Sequence, residues 1–144
     1  MIPEPLYKQI MENVPILCVD LLVKNGDKIL LLKRKNKPLK GYWWIPGGRV
    51  YKNETLLEAV KRKYFEECGL KTDSVKEIGT YDYIGSDAVF DDIKTGIHTL
   101  SVVFEIKATS DKIKVDEQHA EYGWFEFEDC PKELKEILNR LINK

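Results

Sequence analysis

Cysteine is scarce in this sequence, and its few cysteines lie far apart. The 144 residues include three, at Cys18, Cys68 and Cys130. An odd number without short spacings excludes a zinc site built on paired cysteines and the disulfide framework of a small secreted protein. We therefore expect free thiols and a reduced, cytoplasmic compartment.

The sequence also lacks an excess of charge of one sign and any long apolar run. Lysine and arginine together number 23 against 24 acidic residues, for a formal net charge of -1, so a broad basic surface for nucleic acid is not expected. No stretch approaches the roughly 20 apolar residues that span a bilayer, and residues 1–5 do not have the pattern of a secretory leader. We expect a soluble protein that binds neither nucleic acid nor membranes.

The apolar patterning that is present predicts one α/β domain over residues 1–144. Pro15 to Val23 runs apolar and β-branched, and Asn25-Gly26 separates it from a second apolar run, which is a strong hairpin signal. A loop rich in proline, glycine and aromatic residues extends from Asn36 to Arg49. This arrangement is typical of a mixed α/β sandwich. Helices are predicted over 7–13, 54–68 and 131–142, and strands over 15–23, 28–34, 75–84, 99–106 and 122–127.

The middle helix places a carboxylate beside its apolar face. On a helical wheel of about 100° per residue, Glu67 falls at the edge of an apolar stripe. A carboxylate buried there without a partner is costly, so we expect a cation next to Glu67. The stripe that should face the core consists of Leu56, Leu57, Val60, Tyr64 and Cys68.

A second row on the same helix leaves two interpretations open. Glu58, Arg62 and Glu66 are spaced i, i+4, i+8, which suits a solvated row of ion pairs. The same spacing equally suits a charged face that binds a ligand or metal ion. Gly69, directly after the helix, is most simply its C-terminal cap.

Residues 48–70 resemble the Nudix box, the signature of the Nudix hydrolase superfamily. Its pattern is G-x5-E-x7-R-E-U-x-E-E-x-G-U, in which U is aliphatic. Lys63 stands where the family has a glutamate, and Tyr64 where it has an aliphatic residue. The resemblance implies an α/β/α sandwich with a mixed sheet and a loop-helix-loop at the box. The matching positions are Gly48, Glu54, Arg62, Glu66, Glu67, Gly69 and Leu70.

The segments that flank the box look like the GDP-mannose mannosyl hydrolase branch of this superfamily. Residues 34–50 look like the branch's segment leading into the box. Asp116-Glu-Gln-His119, followed by Tyr122 and Trp124, looks like its catalytic loop and next strand. The resemblance implies a homodimer that uses Mg²⁺ to hydrolyse a nucleotide diphosphate-sugar, with GDP-mannose as the leading candidate.

The same resemblance implies roles for individual residues. A single Mg²⁺, for which Mn²⁺ can substitute, would be held by the Gly47 carbonyl, Glu67 and Gln118, all oxygen ligands as a hard ion prefers. His119 would be the general base that activates water for attack at C1 of the sugar. The arginines implied near the substrate or the metal ion are Arg34, Arg49 and Arg62, and the acid implied near the sugar is Asp20.

Two departures from the family pattern keep other functions open. Lys63 removes a carboxylate that helps ordinary Nudix pyrophosphatases to gather two or three divalent ions, so we expect fewer ions here. The segment from Ser86 to Leu100 is short, and Ala88 and Ser101 stand near positions where the branch has a histidine and a tyrosine. The alternatives are a pyrophosphohydrolase that cleaves the P–O–P bridge, supported by the two retained box glutamates, and a catalytically weak nucleotide-sugar sensor.

Overall fold

The element order places a short helix and a hairpin first, a second helix in the middle of the chain and a long strand pair after it. The coordinates are a computed structural model that describes residues 2–36, 39–86, 90, 92–115 and 119–143, with the backbone alone at 119 and 120. The elements are α1 (Glu4–Asn13), β1 (Ile16–Asn25), β2 (Lys28–Arg34), β3 (Trp43–Trp44), β4 (Gly47–Arg49), α2 (Leu56–Cys68), β5 (Val75–Gly85), β6 (Ile97–Lys107), β7 (His119–Phe125), a 3₁₀ turn (Phe127–Asp129) and α3 (Lys132–Ile142).

One mixed sheet joins these strands. Its order is β3-β2-β1-β6-β5, with β4 also paired to β1 and β7 to β2. β1 and β6 run parallel from Ile16 opposite Thr99 to Lys24 opposite Lys107, and the other described pairs are antiparallel. The hairpin expected at Asn25-Gly26 is present, because Asn25 pairs with Lys28 across the turn.

Apolar clusters cover both faces of the sheet. Successive strand residues point to opposite faces, so Leu21 and Val23 pack against α2, whereas Leu22 packs against α3. This places one helix layer on each side and confirms the expected α/β/α sandwich. The helices contribute Ala59, Val60, Tyr64 and Cys68 from α2, and Leu134, Ile137, Leu138 and Leu141 from α3.

The sequence of α2 and its flanks sets both ends of this helix. The Thr55 side chain accepts the N–H of Glu58, whose carboxylate accepts the N–H of Thr55, which is a capping box. Gly69 ends the helix in the left-handed conformation at φ 72°, and its N–H reaches the Phe65 carbonyl. The cap expected at Gly69 is therefore confirmed.

The expectation that Leu57 faces the core is wrong. Its side chain lies in the first turn of α2 and is 44% exposed. The first buried side chain of α2 is Ala59, and the last is Cys68. A helical wheel gives the direction of a side chain, but it does not show how far along the helix axis the sheet extends.

Several element boundaries differ from the sequence prediction, most of them by one or two residues, and three differences are larger or add elements. α1 begins at Glu4, with a proline in its first turn, where proline is tolerated. The predicted loop over 36–49 contains the short strands β3 and β4, which exist through pairing with β2 and β1. β7 begins at His119 and not at Tyr122, because the polar residues at its start pair by backbone with the end of β2.

Among the described residues, no helix is long and apolar enough to cross a membrane.

Candidate active site

A cavity of about 1000 Å³ collects most of the residues singled out in the sequence. A volume of this order suits a ligand of nucleotide size. Its walls come from α1, α2, strands β1 to β6 and the first turn of α3. Of the expected site residues, those that line it are Asp20, Arg34, Gly47, Gly48, Arg49, Arg62 and Glu67.

Glu67 lies where α2 passes β4. Its side chain is 2% exposed, and its Oε1 accepts the N–H of Gly47 at 2.7 Å. Its Oε2 lies 3.8 Å from Nζ of Lys63, one helical turn earlier. The cation expected next to Glu67 is therefore present, and the same helix supplies it.

Two glycines allow β4 to pass close to these side chains. A Cβ atom at Gly47 would collide with the carboxylate of Asp20 and the backbone carbonyl of Val19. A Cβ atom at Gly48 would lie 2.6 Å from Cε of Lys63. A larger residue at Gly47 would therefore push β4 away from β1, whereas one at Gly48 would displace the end of the Lys63 side chain.

Arg62 is fully engaged by the loop that precedes α2. Its Nε donates to Glu54 at 2.6 Å, and one Nη donates to the other Glu54 oxygen and to the Arg49 carbonyl, both at 2.9 Å. The second Nη reaches Glu66 at 3.2 Å. These bonds raise the pKa of Arg62 and lower that of Glu54. In the charged row on α2, Glu58 caps the helix, and Arg62 and Glu66 pair.

Arg49 has a different environment. Its guanidinium lies between two aromatic rings, 5.1 Å from the Tyr7 centroid and 5.0 Å from the Tyr51 centroid. Among the described residues, no carboxylate lies within ion-pair distance of Arg49. Arg62 also contacts Tyr51, with its guanidinium 3.7 Å from the centroid of the same ring. Arg49 is thus held in the cavity wall by two aromatic rings, which attract its guanidinium without supplying a full negative charge.

Asp20 forms the polar floor of the cavity. It is 7% exposed and accepts hydrogen bonds from the hydroxyl groups of Tyr81 and Ser101. The indole of Trp44 donates to the Tyr81 oxygen at 3.2 Å. Burial raises the pKa of Asp20 to about 6, and the hydrogen bonds limit the rise. A carboxyl group that already accepts hydrogen bonds from hydroxyl groups can accept further hydrogen bonds from the hydroxyl groups of a ligand.

The three neighbouring aromatic residues of the long loop separate into two roles. Trp43 packs on Phe125, with ring centroids 5.2 Å apart. Tyr42 and Trp44 line the cavity, with their rings 5.8 Å apart. The Tyr42 hydroxyl donates to Glu133 at 2.6 Å. Packing therefore accounts for Trp43, and the other two rings are available to a ligand in the cavity.

The loop expected to contribute Gln118 and His119 is described only in part. Gln118 and Ala88 lie outside the described residues. The backbone of His119 begins β7 and pairs with that of Arg34 on β2. Since Arg34 lines the cavity, the His119 backbone lies on the strand next to the cavity wall.

Comparisons with known proteins agree with this architecture. The family model described as NUDIX domain matches residues 14–144. The chain belongs to the Nudix family. The low-salt glycan biosynthesis protein Agl8 of Haloferax volcanii is 34% identical over 125 residues, or 87% of this chain and 80% of Agl8. The ADP-ribose pyrophosphatase of Methanocaldococcus jannaschii is 35% identical over 118 residues, or 82% of this chain and 66% of that protein.

A solved Nudix structure has the same fold. The crystal structure of the MutT NUDIX hydrolase from Burkholderia pseudomallei superposes with a TM-score of 0.74 at 28% identity. The match covers 89% of this chain and 98% of that one. The Nudix box of this chain is therefore the segment formed by β4, the following loop and α2.

Within this Nudix box, Lys63 lies among the carboxylates. Its Nζ is 3.5 Å from Glu66 and 3.8 Å from Glu67, and its side chain is 12% exposed. In the part of the chain that the structure describes, no group of three or more histidine, cysteine, aspartate or glutamate side chains could hold a metal ion. Glu54, Glu66 and Gly69 shape the box without lining the cavity.

Sequence reasoning missed several residues of this Nudix site. Tyr81 has no signal of its own along the chain, and it becomes conspicuous only because β5 and β6 pair it with Ser101. Tyr7 and Tyr51 stand far apart in sequence and meet only at Arg49. Knowledge of the β5–β6 register would have identified Tyr81, because opposite residues of an antiparallel pair share one face.

Proposed function

We propose that this chain hydrolyses a nucleotide diphosphate-sugar at C1 of the sugar, with GDP-mannose as the leading candidate and GDP and mannose as products. The observation that supports this most is the position of Lys63 inside the Nudix box. Its ammonium group lies within 3.8 Å of the carboxylates of both Glu66 and Glu67. The box therefore already contains one positive charge where Nudix pyrophosphatases gather metal ions.

The lysine argues for one divalent ion and against two or three. Its stem fills the space over Gly48, where an added Cβ atom would lie 2.6 Å from Cε. An ammonium group in this position repels further cations, and the repulsion is strong because the site is largely shielded from water. Attack at phosphorus with several ions is disfavoured as a result, whereas attack at carbon requires only that the leaving diphosphate be stabilised.

The proposed Mg²⁺ ligands are the Glu67 carboxylate, the Gly47 carbonyl and the Gln118 amide. Glu67 fits a hard ion by its chemistry, because it is a buried carboxylate whose nearby ammonium group lies beyond hydrogen-bond distance at 3.8 Å. Gly47 lies beside it, joined by its N–H. When bound, Mg²⁺, or Mn²⁺ in its place, supplies Lewis-acid stabilisation of charge on the diphosphate oxygens.

The remaining chemistry belongs to the side chains. His119 takes a proton from water as the water oxygen bonds to C1 of the sugar. The bond from C1 to the diphosphate oxygen breaks, its electron pair leaves with GDP, and the anomeric centre inverts. Arg34 and Arg49 neutralise charge on the departing diphosphate. Asp20, on the cavity floor, accepts hydrogen bonds from sugar hydroxyl groups.

A pyrophosphohydrolase is the second candidate. It is favoured by the 35% identity to a protein named ADP-ribose pyrophosphatase and by the retention of Glu66 and Glu67. In that reaction water attacks phosphorus, and the products are a nucleoside monophosphate and a sugar phosphate. The similarity to a protein named for glycan biosynthesis, Agl8, supports a sugar-bearing substrate for either reaction.

The products identify the bond that breaks. The protein is incubated with Mg²⁺ and a panel of NDP-sugars in ¹⁸O-water, and the products are followed by NMR and mass spectrometry. We expect β-mannose that contains the label and unlabelled GDP from GDP-α-mannose, since backside displacement inverts the centre. GMP and mannose 1-phosphate, with label in a phosphate group, would establish the pyrophosphohydrolase instead.

A further inference from the structure

Helix α1 precedes the residues matched by the family model, 14–144, and yet forms part of the cavity wall. A wall contributed from outside the matched segment does not follow from the Nudix box. The cavity-lining residues in and beside this helix are Ile2, Glu4, Tyr7 and Met11.

The helix is anchored and does not merely lie over the cavity. Met11 is buried in a small apolar cluster with Ile16 and Ile93. Lys8 forms an ion pair with Asp92 at 2.8 Å and lies 5.0 Å from the Phe90 ring centroid. Apolar packing and the charged contacts of Lys8 both connect α1 to the segment between β5 and β6. The helix therefore has a defined position relative to the sheet.

From this position α1 directs the Tyr7 ring onto the guanidinium of Arg49. The Tyr51 ring contacts the same group at a similar distance, 5.0 Å against 5.1 Å for Tyr7. A ring face attracts a cation without donating or removing a proton and without supplying a full negative charge. Arg62, in contrast, has its charge compensated by Glu54 and Glu66.

We propose that α1 completes the substrate cavity and that Tyr7 is a positioning residue, which orients Arg49 to bind the diphosphate of the substrate. This inference rests on the proposed function only in requiring a diphosphate-bearing ligand. Either bond cleavage satisfies that requirement. Tyr7 acts through Arg49, and a ring at position 7 matters only while the guanidinium is present.

A double-mutant cycle tests this coupling. The full chain and the variants Tyr7→Leu, Arg49→Ala and Tyr7→Leu/Arg49→Ala are titrated calorimetrically with methylenediphosphonate, a diphosphate mimic that resists hydrolysis, in the presence of Mg²⁺. We expect Tyr7→Leu to weaken binding by roughly 2- to 30-fold, the range of a cation–π contact, and to have no further effect once Arg49 is alanine. Tyr7→Phe keeps the ring face and loses only the hydroxyl group that accepts from Arg49, so it should bind the mimic much more tightly than Tyr7→Leu.

The control is Leu6→Ala, a change on the same helix at a side chain that is 50% exposed and does not line the cavity. It should leave binding unchanged. If Tyr7→Leu does not fold, as judged by thermal unfolding, Tyr7→Met replaces it, since a flexible thioether fills the space without a ring face.

Three results would overturn the inference: an equal loss from Tyr7→Leu with and without Arg49, no loss in either background, or no binding of the mimic by the parent protein. The outcome is separate from that of the proposed function. GMP and mannose 1-phosphate as products would refute hydrolysis at C1 and leave the coupling between Tyr7 and Arg49 intact.

Discussion

The cavity has a buried carboxylate on each side of β4, and the two have opposite partners. Glu67, on the α2 side, has an ammonium group at 3.8 Å and a backbone N–H at 2.7 Å. Asp20, on the sheet side, has hydroxyl partners from Tyr81 and Ser101. Glu67 is therefore suited by its buried carboxylate to bind a metal ion, and Asp20, whose described partners are hydroxyl groups, is suited to accept hydrogen bonds from the hydroxyl groups of a ligand.

The largest expected effect comes from a residue that is neither of these acids. If His119 is the general base, His119→Gln should slow turnover by roughly 10²–10⁴-fold and flatten the rise in rate with pH near neutrality. The measurement is kcat over pH 5 to 9 with GDP-mannose and Mg²⁺. Unchanged turnover in this variant would refute His119 as the general base and would favour the pyrophosphohydrolase.

The second largest effect is expected from Glu67→Gln, which should lose Mg²⁺-dependent activity by more than about 100-fold. Outer residues of a metal site are worth 10- to 100-fold in affinity, and a direct ligand should be worth more. The matched control is Glu66→Gln, which removes the same charge from the adjacent residue and should cost much less. Metal titration of the Glu67 variant with parent-like Mg²⁺ affinity would refute the proposed ligand.

Asp20→Asn should change the pH dependence of stability. The folded-state pKa of about 6 exceeds the ordinary value of 3.8, so the stability that protonated Asp20 contributes is fully present below about pH 4 and is lost as the pH rises through 6. The free energy of unfolding of the variant should therefore rise relative to that of the parent between pH 4 and pH 7, by an amount on the order of 3 kcal/mol. Urea unfolding with EDTA at each pH measures the difference.

A suitable control for that series is Asp27→Asn, at an exposed residue of the β1–β2 turn. Its stability difference from the parent should stay nearly constant over the same pH range. If the Asp20→Asn difference were equally constant, the view that Asp20 has only neutral partners would be wrong, and an unrecognised cation would have to compensate it.

Lys63→Glu should have the smallest effect on turnover and should change the metal count. It restores the carboxylate of the family pattern and removes the ammonium group from Glu67, so the number of bound Mn²⁺ ions, counted by EPR titration, should rise by at least one. Lys61→Glu is the control, because Lys61 is on the same helix and pairs with Asp73 away from Glu67. An unchanged count in Lys63→Glu would show that the lysine does not limit metal binding.

Local sequence determined a large part of this protein. Thr55 and Gly69 end α2 through hydrogen bonds to residues three or four positions away, and the Asn25-Gly26 turn closes the first hairpin. The Nudix box places Lys63 and Glu67 one helical turn apart, so their pairing follows from the helix itself. These features are predictable because the interacting groups are neighbours along the chain.

Only the tertiary structure decided the rest of the site. Tyr81 and Asp20 are 61 residues apart and meet because β6 lies between their strands. Tyr7 meets Arg49 only after α1 packs on the segment between β5 and β6. Periodicity describes one element at a time, whereas these contacts depend on strand order, register and helix packing, which arise from burial summed over the whole chain.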